Sequence, residues 1–92
     1  MGLDTVEILM ATERTFGIDI SDADAAQCRT VGDLHRCVIR LLEQKYQREG
    51  SHLIVDAEIT WNTLVPLIVE ESGVRPEQVR PEAEWSRDLG ID

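Results

Sequence analysis

Leu3-Asp4-Thr5-Val6-Glu7-Ile8-Leu9-Met10-Ala11-Thr12-Glu13-Arg14-Thr15-Phe16-Gly17-Ile18-Asp19-Ile20 reads as a helix, its stop signal and a short extended link. Leu3, Val6, Leu9, Met10 and Phe16 recur at helical spacing, while Asp4, Glu7 and Glu13 fall off that stripe. The pattern predicts the five apolar residues on the inward face. Asp4 and Glu7 stand near the helix start, where the macrodipole favours negative charge. Gly17 supplies the C′ position, because glycine takes positive φ without a steric penalty.

Working outward, Ser21 offers an N-cap with Asp24 three residues on as a box partner. It opens a short helix over 22–28, with Ala25 and Cys28 inward. Thr30 and Asp33 repeat the signal and open a longer helix over 31–44, with Val31, Leu34, Val38, Leu41 and Leu42 inward and Cys37 at the border. The pattern then degrades. Residues 45–58 read as a linker broken by Gly50, in which Leu53-Ile54-Val55 is either a short apolar run packed on the bundle or an extended segment. Residues 59–72 are helical by pattern, with Ile59, Leu64, Leu67 and Ile68 on one side and Gly73 as the stop. Pro66 either kinks this helix or begins a shorter one, since proline removes one backbone bond and clashes with the carbonyl four residues back. Pro76 opens a single turn, and from Pro81 the chain is loop anchored by Trp85 and Leu89. No strand alternation, repeat or low-complexity tract is present, so the class is all-α, a four-helix bundle.

With 92 residues the chain makes one small domain, and aromatics are limited to Phe16, Tyr46, Trp61 and Trp85, so the core must be aliphatic. Eighteen acidic residues against nine basic give a net charge of −9. That argues against a nucleic-acid binder, which needs clustered cations, and suits either a protein that meets basic surfaces or one whose acidity only maintains solubility. No stretch has the length and apolarity of a membrane span and no signal peptide is legible, so the sequence predicts a cytoplasmic protein that binds neither membrane nor nucleic acid. Cys28 and Cys37 form no CxxC pair; buried free thiols are the expected state, a disulfide between them the alternative. His35 and His52 lack partners at metal-ligand spacing, and no nucleophile–base–acid set or phosphate loop is legible, so neither a metal site nor an enzyme is expected.

Two blocks of text resemble the acyl carrier protein family. Leu3 to Met10, then Phe16-Gly17-Ile18-Asp19-Ile20, Asp22-Ala23-Asp24-Ala25 and Thr30-Val31 resemble that family's second, third and fourth helices. Val69-Glu70-Glu71-Ser72-Gly73-Val74, Glu77-Gln78-Val79, Pro81-Glu82-Ala83 and Asp88-Leu89-Gly90-Ile91-Asp92 resemble its first helix and the loop after it. The blocks stand in reversed order. The resemblance implies an acyl-carrier-protein-like four-helix bundle with permuted helix order, II-III-IV-linker-I, in which 1–44 matches helices II–IV, 45–58 is the linker and 59–92 matches helix I and its loop. Chain ends of such a bundle lie at the surface and near one another, so a linker of this length can join them.

The two ends read as halves of one motif, "DLG-x-D" running into "S-L-D-x-V-E". In the family its serine carries 4′-phosphopantetheine. Gly2 falls at that position and has no hydroxyl to attack coenzyme A. The resemblance therefore implies a protein that is not modified, with no cofactor. It further implies an interaction or adaptor role, in which Asp4, Glu7 and Glu13 dock basic surfaces of carrier-dependent enzymes of fatty-acid or polyketide-type metabolism. Arg14 and Thr15 depart from the acidic residues common there. The alternatives are a genuine carrier, modified with phosphopantetheine at an unexpected residue or beyond Asp92, and a half-site completed in a domain-swapped homodimer rather than a monomer.

Overall fold

A computed structural model describes residues 3–91. Four α-helices, α1 (Leu3–Phe16), α2 (Asp22–Gln27), α3 (Val31–Arg48) and α4 (Ala57–Ser72), are followed by a 3-10 turn at Pro76–Gln78. No strand occurs among the described residues, whose one β feature is an isolated antiparallel bridge between Thr30 and Glu84. The fold is all-helical and consistent with a bundle of the acyl carrier protein type. α4 packs against both α1 and α3, while α2 rests on α3. One aliphatic cluster joins Ile8 and Ala11 of α1, Leu34, Val38 and Leu42 of α3, Leu64, Leu67 and Ile68 of α4, and Trp85, Leu89 and Ile91 of the tail.

The caps follow the sequence closely. Ser21 Oγ accepts from the Asp24 amide at 3.1 Å, and Thr30 and Asp33 form a closed capping box. Asp24 does not complete a second box at Ser21. Its carboxylate accepts instead from Arg40 at 2.8 Å, a charge-assisted bond that outcompetes a neutral backbone amide. Gly17 and Gly73 end α1 and α4 with φ of 65° and 76°.

The tail loop completes the start of α3. A helix leaves its first amides without partners inside the helix. Here the Val31 amide donates to the Ala83 carbonyl at 3.0 Å and the Gly32 amide to Pro81 at 2.8 Å, while the Asp33 amide donates to Thr30 Oγ1. Trp85 then plugs the core at 7% exposure, and its Nε1–H donates to the Cys28 carbonyl at 3.0 Å.

Four readings of the sequence are corrected. In α1 Leu9 and Phe16 pack half-buried on the core as expected and the Leu3 side chain lies outside the described residues, but the buried positions are Thr5, Ile8, Ala11 and Thr12, whereas Val6 and Met10 are 38% and 50% exposed. Thr12 is fully buried because its hydroxyl donates to the Ile8 carbonyl at 2.7 Å, leaving its methyl to pack. Secondly, α3 continues through residues 45–48 of the expected linker. Lys45 Nζ donates to the Gly17 carbonyl at 3.0 Å and Tyr46 packs on the core, so tertiary contacts extend the helix until Gly50 turns the chain at φ 66°. Thirdly, α4 begins at Ala57, inside the expected linker, and runs through Pro66, which removes the alternative of a shorter helix starting at that proline. Pro66 lies on the exposed side, where water meets the carbonyl that loses its partner. Fourthly, Ile59 is 66% exposed, and Thr60 takes the inward position. Of the 53–55 run, Val55 packs on the core while Leu53 and Ile54 face solvent.

Candidate functional site: the outward face of α1

At 3.6 residues per turn, Thr5, Ile8, Ala11 and Thr12 occupy one arc of α1, and Val6, Glu7, Met10 and Arg14 the opposite one. The outward arc therefore carries two large apolar side chains that core packing does not use, flanked by Glu7 on one edge. Past Met10, a recess of about 460 Å³ lies between the end of α1 and the link, bordered by Glu13, Arg14, Gly17 and Asp19.

The three acids expected to dock a partner do not form one cluster. Glu7 is exposed on the outward arc beside Val6 and Met10. Asp4 is exposed at the helix start, displaced around the axis toward the inward arc. Glu13 is half-buried, and its Oε2 accepts the Ile20 amide at 2.8 Å. That bond closes the link between α1 and α2, so Glu13 carries a structural task whatever else it touches. Spacing alone places Val6 and Met10 in the core, and the structure turns both outward. The signal that separates the two faces is the pair of threonines at 5 and 12, which share an arc with Ile8 and can bury a methyl with a satisfied hydroxyl.

Gly2 and Asp92, the two halves of the expected attachment motif, lie outside the described residues. Their neighbourhood is partly visible: Ile91 is 3% exposed and belongs to the same apolar cluster as Ile8. The tail folds on itself before reaching it, with the Glu84 amide donating to Asp88 Oδ2 at 2.8 Å and the Ile91 amide to the Trp85 carbonyl at 2.8 Å. Arg87 hydrogen-bonds Asp88 and holds its carboxyl below the usual carboxylate range.

Other hydroxyls and imidazoles have local work. Thr5 is buried. Ser21 is a cap, Ser51 accepts the Leu53 amide and Ser72 donates to the Ile68 carbonyl, while Ser86 is exposed on the tail turn. His35 Nε2 lies 2.9 Å from the Ala57 carbonyl, and its ring meets Trp61 edge-on at 5.2 Å. No group of three or more potential metal ligands occurs among the described residues, nor is any described helix long and apolar enough to cross a membrane.

Residues 3–38 match a family model described as phosphopantetheine attachment site. No solved structure matches the chain significantly. Over the matched residues, fewer than half of the 92, the chain is similar to the phosphopantetheine-binding carrier family. Domains of this family normally carry 4′-phosphopantetheine and are not themselves enzymes.

Proposed function

We propose that this chain is a carrier-like adaptor of the phosphopantetheine-binding family that is not itself modified. Its outward α1 face docks basic surfaces of carrier-dependent enzymes in fatty-acid or polyketide-type metabolism, in the cytoplasm. The observation that carries this reading is the face itself. Val6 and Met10 are exposed next to Glu7, an apolar centre with an acidic edge on a chain of net charge −9. Such a face offers desolvation at its centre and steering at its rim, which isolated surface ion pairs of ~0–1 kcal/mol do not supply. Asp4, exposed at the helix start but displaced toward the inward arc, stands off this face, and Glu13 adds charge beside the link. Arg14 on the same arc calls for a partner surface that is not uniformly basic.

The helix order II-III-IV-linker-I belongs to the same proposal. α1 to α3 take the parts of the second to fourth helices, and α4 with its tail takes the part of the first helix and loop. The packing of α4 on α1 and α3 within one chain supports a monomer over a swapped dimer. Gly2 at the serine position supports the absence of a prosthetic group. Titration calorimetry against a panel of carrier-dependent enzymes tests the proposal. Salt-sensitive binding that Glu7→Lys abolishes is expected; no binding to any of them sinks it.

A genuine carrier, modified at an unexpected residue or beyond Asp92, is the second reading. The match to a phosphopantetheine attachment family favours it. Under it, intact mass rises by one phosphopantetheine after incubation with coenzyme A and a phosphopantetheinyl transferase.

A further inference from the structure

A recess of about 390 Å³ between α2 and α3 holds two thiols. Cys28 caps the end of α2 and is half-buried, whereas Cys37, in the second turn of α3, is 7% exposed. The Cys28 thiol donates to the Asp24 carbonyl at 3.3 Å. The Arg40 guanidinium lies 2.8 Å from Asp24 Oδ1 and 3.8 Å from Cys37 Sγ. One residue, Asp24, thus touches the first sulfur and, through Arg40, the second. Both cysteines line this one recess, at the seam where α2 rests on α3. Both are free cysteines.

We propose that Cys28 and Cys37 form a dithiol modification site that accepts small-molecule disulfides and closes to an intramolecular disulfide stapling α2 to α3. In the first step the thiolate of the more accessible Cys28 attacks one sulfur of the small disulfide. That S–S bond breaks, a mixed disulfide forms on Cys28, and the departing thiolate takes up the proton that Cys28 lost. In the second step the Cys37 thiolate attacks the Cys28 sulfur, forming the internal bond and releasing the second small thiol. Two protein thiols are oxidised and one small disulfide is reduced to two thiols; excess thiol reverses the sequence.

The surroundings set the rate. Burial pushes the Cys28 thiol up to about 12, with Cys37, Asp33 and Asp24 adding to the effect. Burial also raises Cys37, although Arg40 opposes the rise. Exchange is therefore slow at neutral pH and quickens about tenfold per pH unit as the thiolate fraction grows. Because the Cys28 carbonyl is the acceptor for Trp85 Nε1–H, closure also reports to the indole.

The test uses the full chain, incubated with glutathione disulfide at mildly alkaline pH, then alkylated with iodoacetamide and weighed intact. A monomer lighter by two hydrogens, unlabelled, with a peptide linking Cys28 to Cys37 and altered Trp fluorescence, is expected. Cys37→Ala should stop at a glutathione adduct on Cys28, and Cys28→Ala should react at least tenfold more slowly. Full alkylation of both cysteines, a stable glutathione adduct on the wild-type chain, or disulfide-linked dimers would overturn the proposal. The wild-type mass alone decides the matter if either variant fails to fold.

Discussion

The Gly32 amide donates to the Pro81 carbonyl at 2.8 Å, and a Cβ on residue 32 would stand 2.7 Å from that oxygen. Glycine is required here by the close approach of two backbones. Gly32→Ala must push the tail loop off α3, at a cost of about 1–3 kcal/mol or more. Urea unfolding should register that loss, and hydrogen exchange should show the backbone amides at positions 31 and 32 losing protection ahead of the bundle. An alanine variant as stable as wild type would mean the tail does not cross α3 at this point.

Thr30 and Asp33 close the capping box of α3. Thr30→Ala should destabilise by about 1 kcal/mol, and the double variant with Asp33→Ala should be less costly than the sum of the singles. Burial works against the Asp33 carboxylate, but the Arg29 and Thr30 amides and Arg36 outweigh it and hold the carboxyl below its usual range. A lowered folded-state pKa gives stability above the unfolded value of about 4 that is lost as pH falls through the folded one. Arg40 and Arg87 hold Asp24 and Asp88 low in the same way. Thermal midpoints should accordingly fall below pH 4, and less steeply in Asp33→Asn.

Trp85 joins the tail to α2 through its indole N–H and its buried ring. Trp85→Phe keeps most of the apolar volume but leaves the Cys28 carbonyl without its donor, at about 1–3 kcal/mol. Trp85→Ala empties the site and should cost about 3–5 kcal/mol, enough to unfold a small domain of marginal stability. Chemical denaturation of both variants reads the difference.

Glu7 and Glu13 should separate by readout. Glu7→Lys touches no described hydrogen bond and should leave stability within about 0.5 kcal/mol, while weakening partner binding. Glu13→Gln weakens a charge-assisted bond to the Ile20 amide and should lower stability by about 1 kcal/mol. Melting curves beside calorimetric titrations distinguish the roles; equal loss of stability in both would remove Glu7 from the docking face.

Much of the fold was legible where one residue type has a single local use. Ser21, Thr30 with Asp33, Gly17, Gly73 and Pro76 mark their boundaries correctly because caps and stops act over a few residues. The site was less legible. Val6 and Met10 read as core because spacing registers apolarity and not direction; Thr5 and Thr12 occupy the inward arc instead. The continuation of α3 to Arg48 depends on Lys45 reaching Gly17, a contact between residues far apart in the chain. Asp24 looked like a box partner until Arg40, one helix away, claimed its carboxylate.

Intact mass spectrometry of the chain and of Gly2→Ser, each incubated with coenzyme A and a broad-specificity phosphopantetheinyl transferase, tests the central claim most directly. The wild-type mass should not change, and Gly2→Ser should gain one phosphopantetheine, because in the proposed permuted motif Gly2 takes the place of the serine. Modification of the wild-type chain would contradict the account and identify a working carrier.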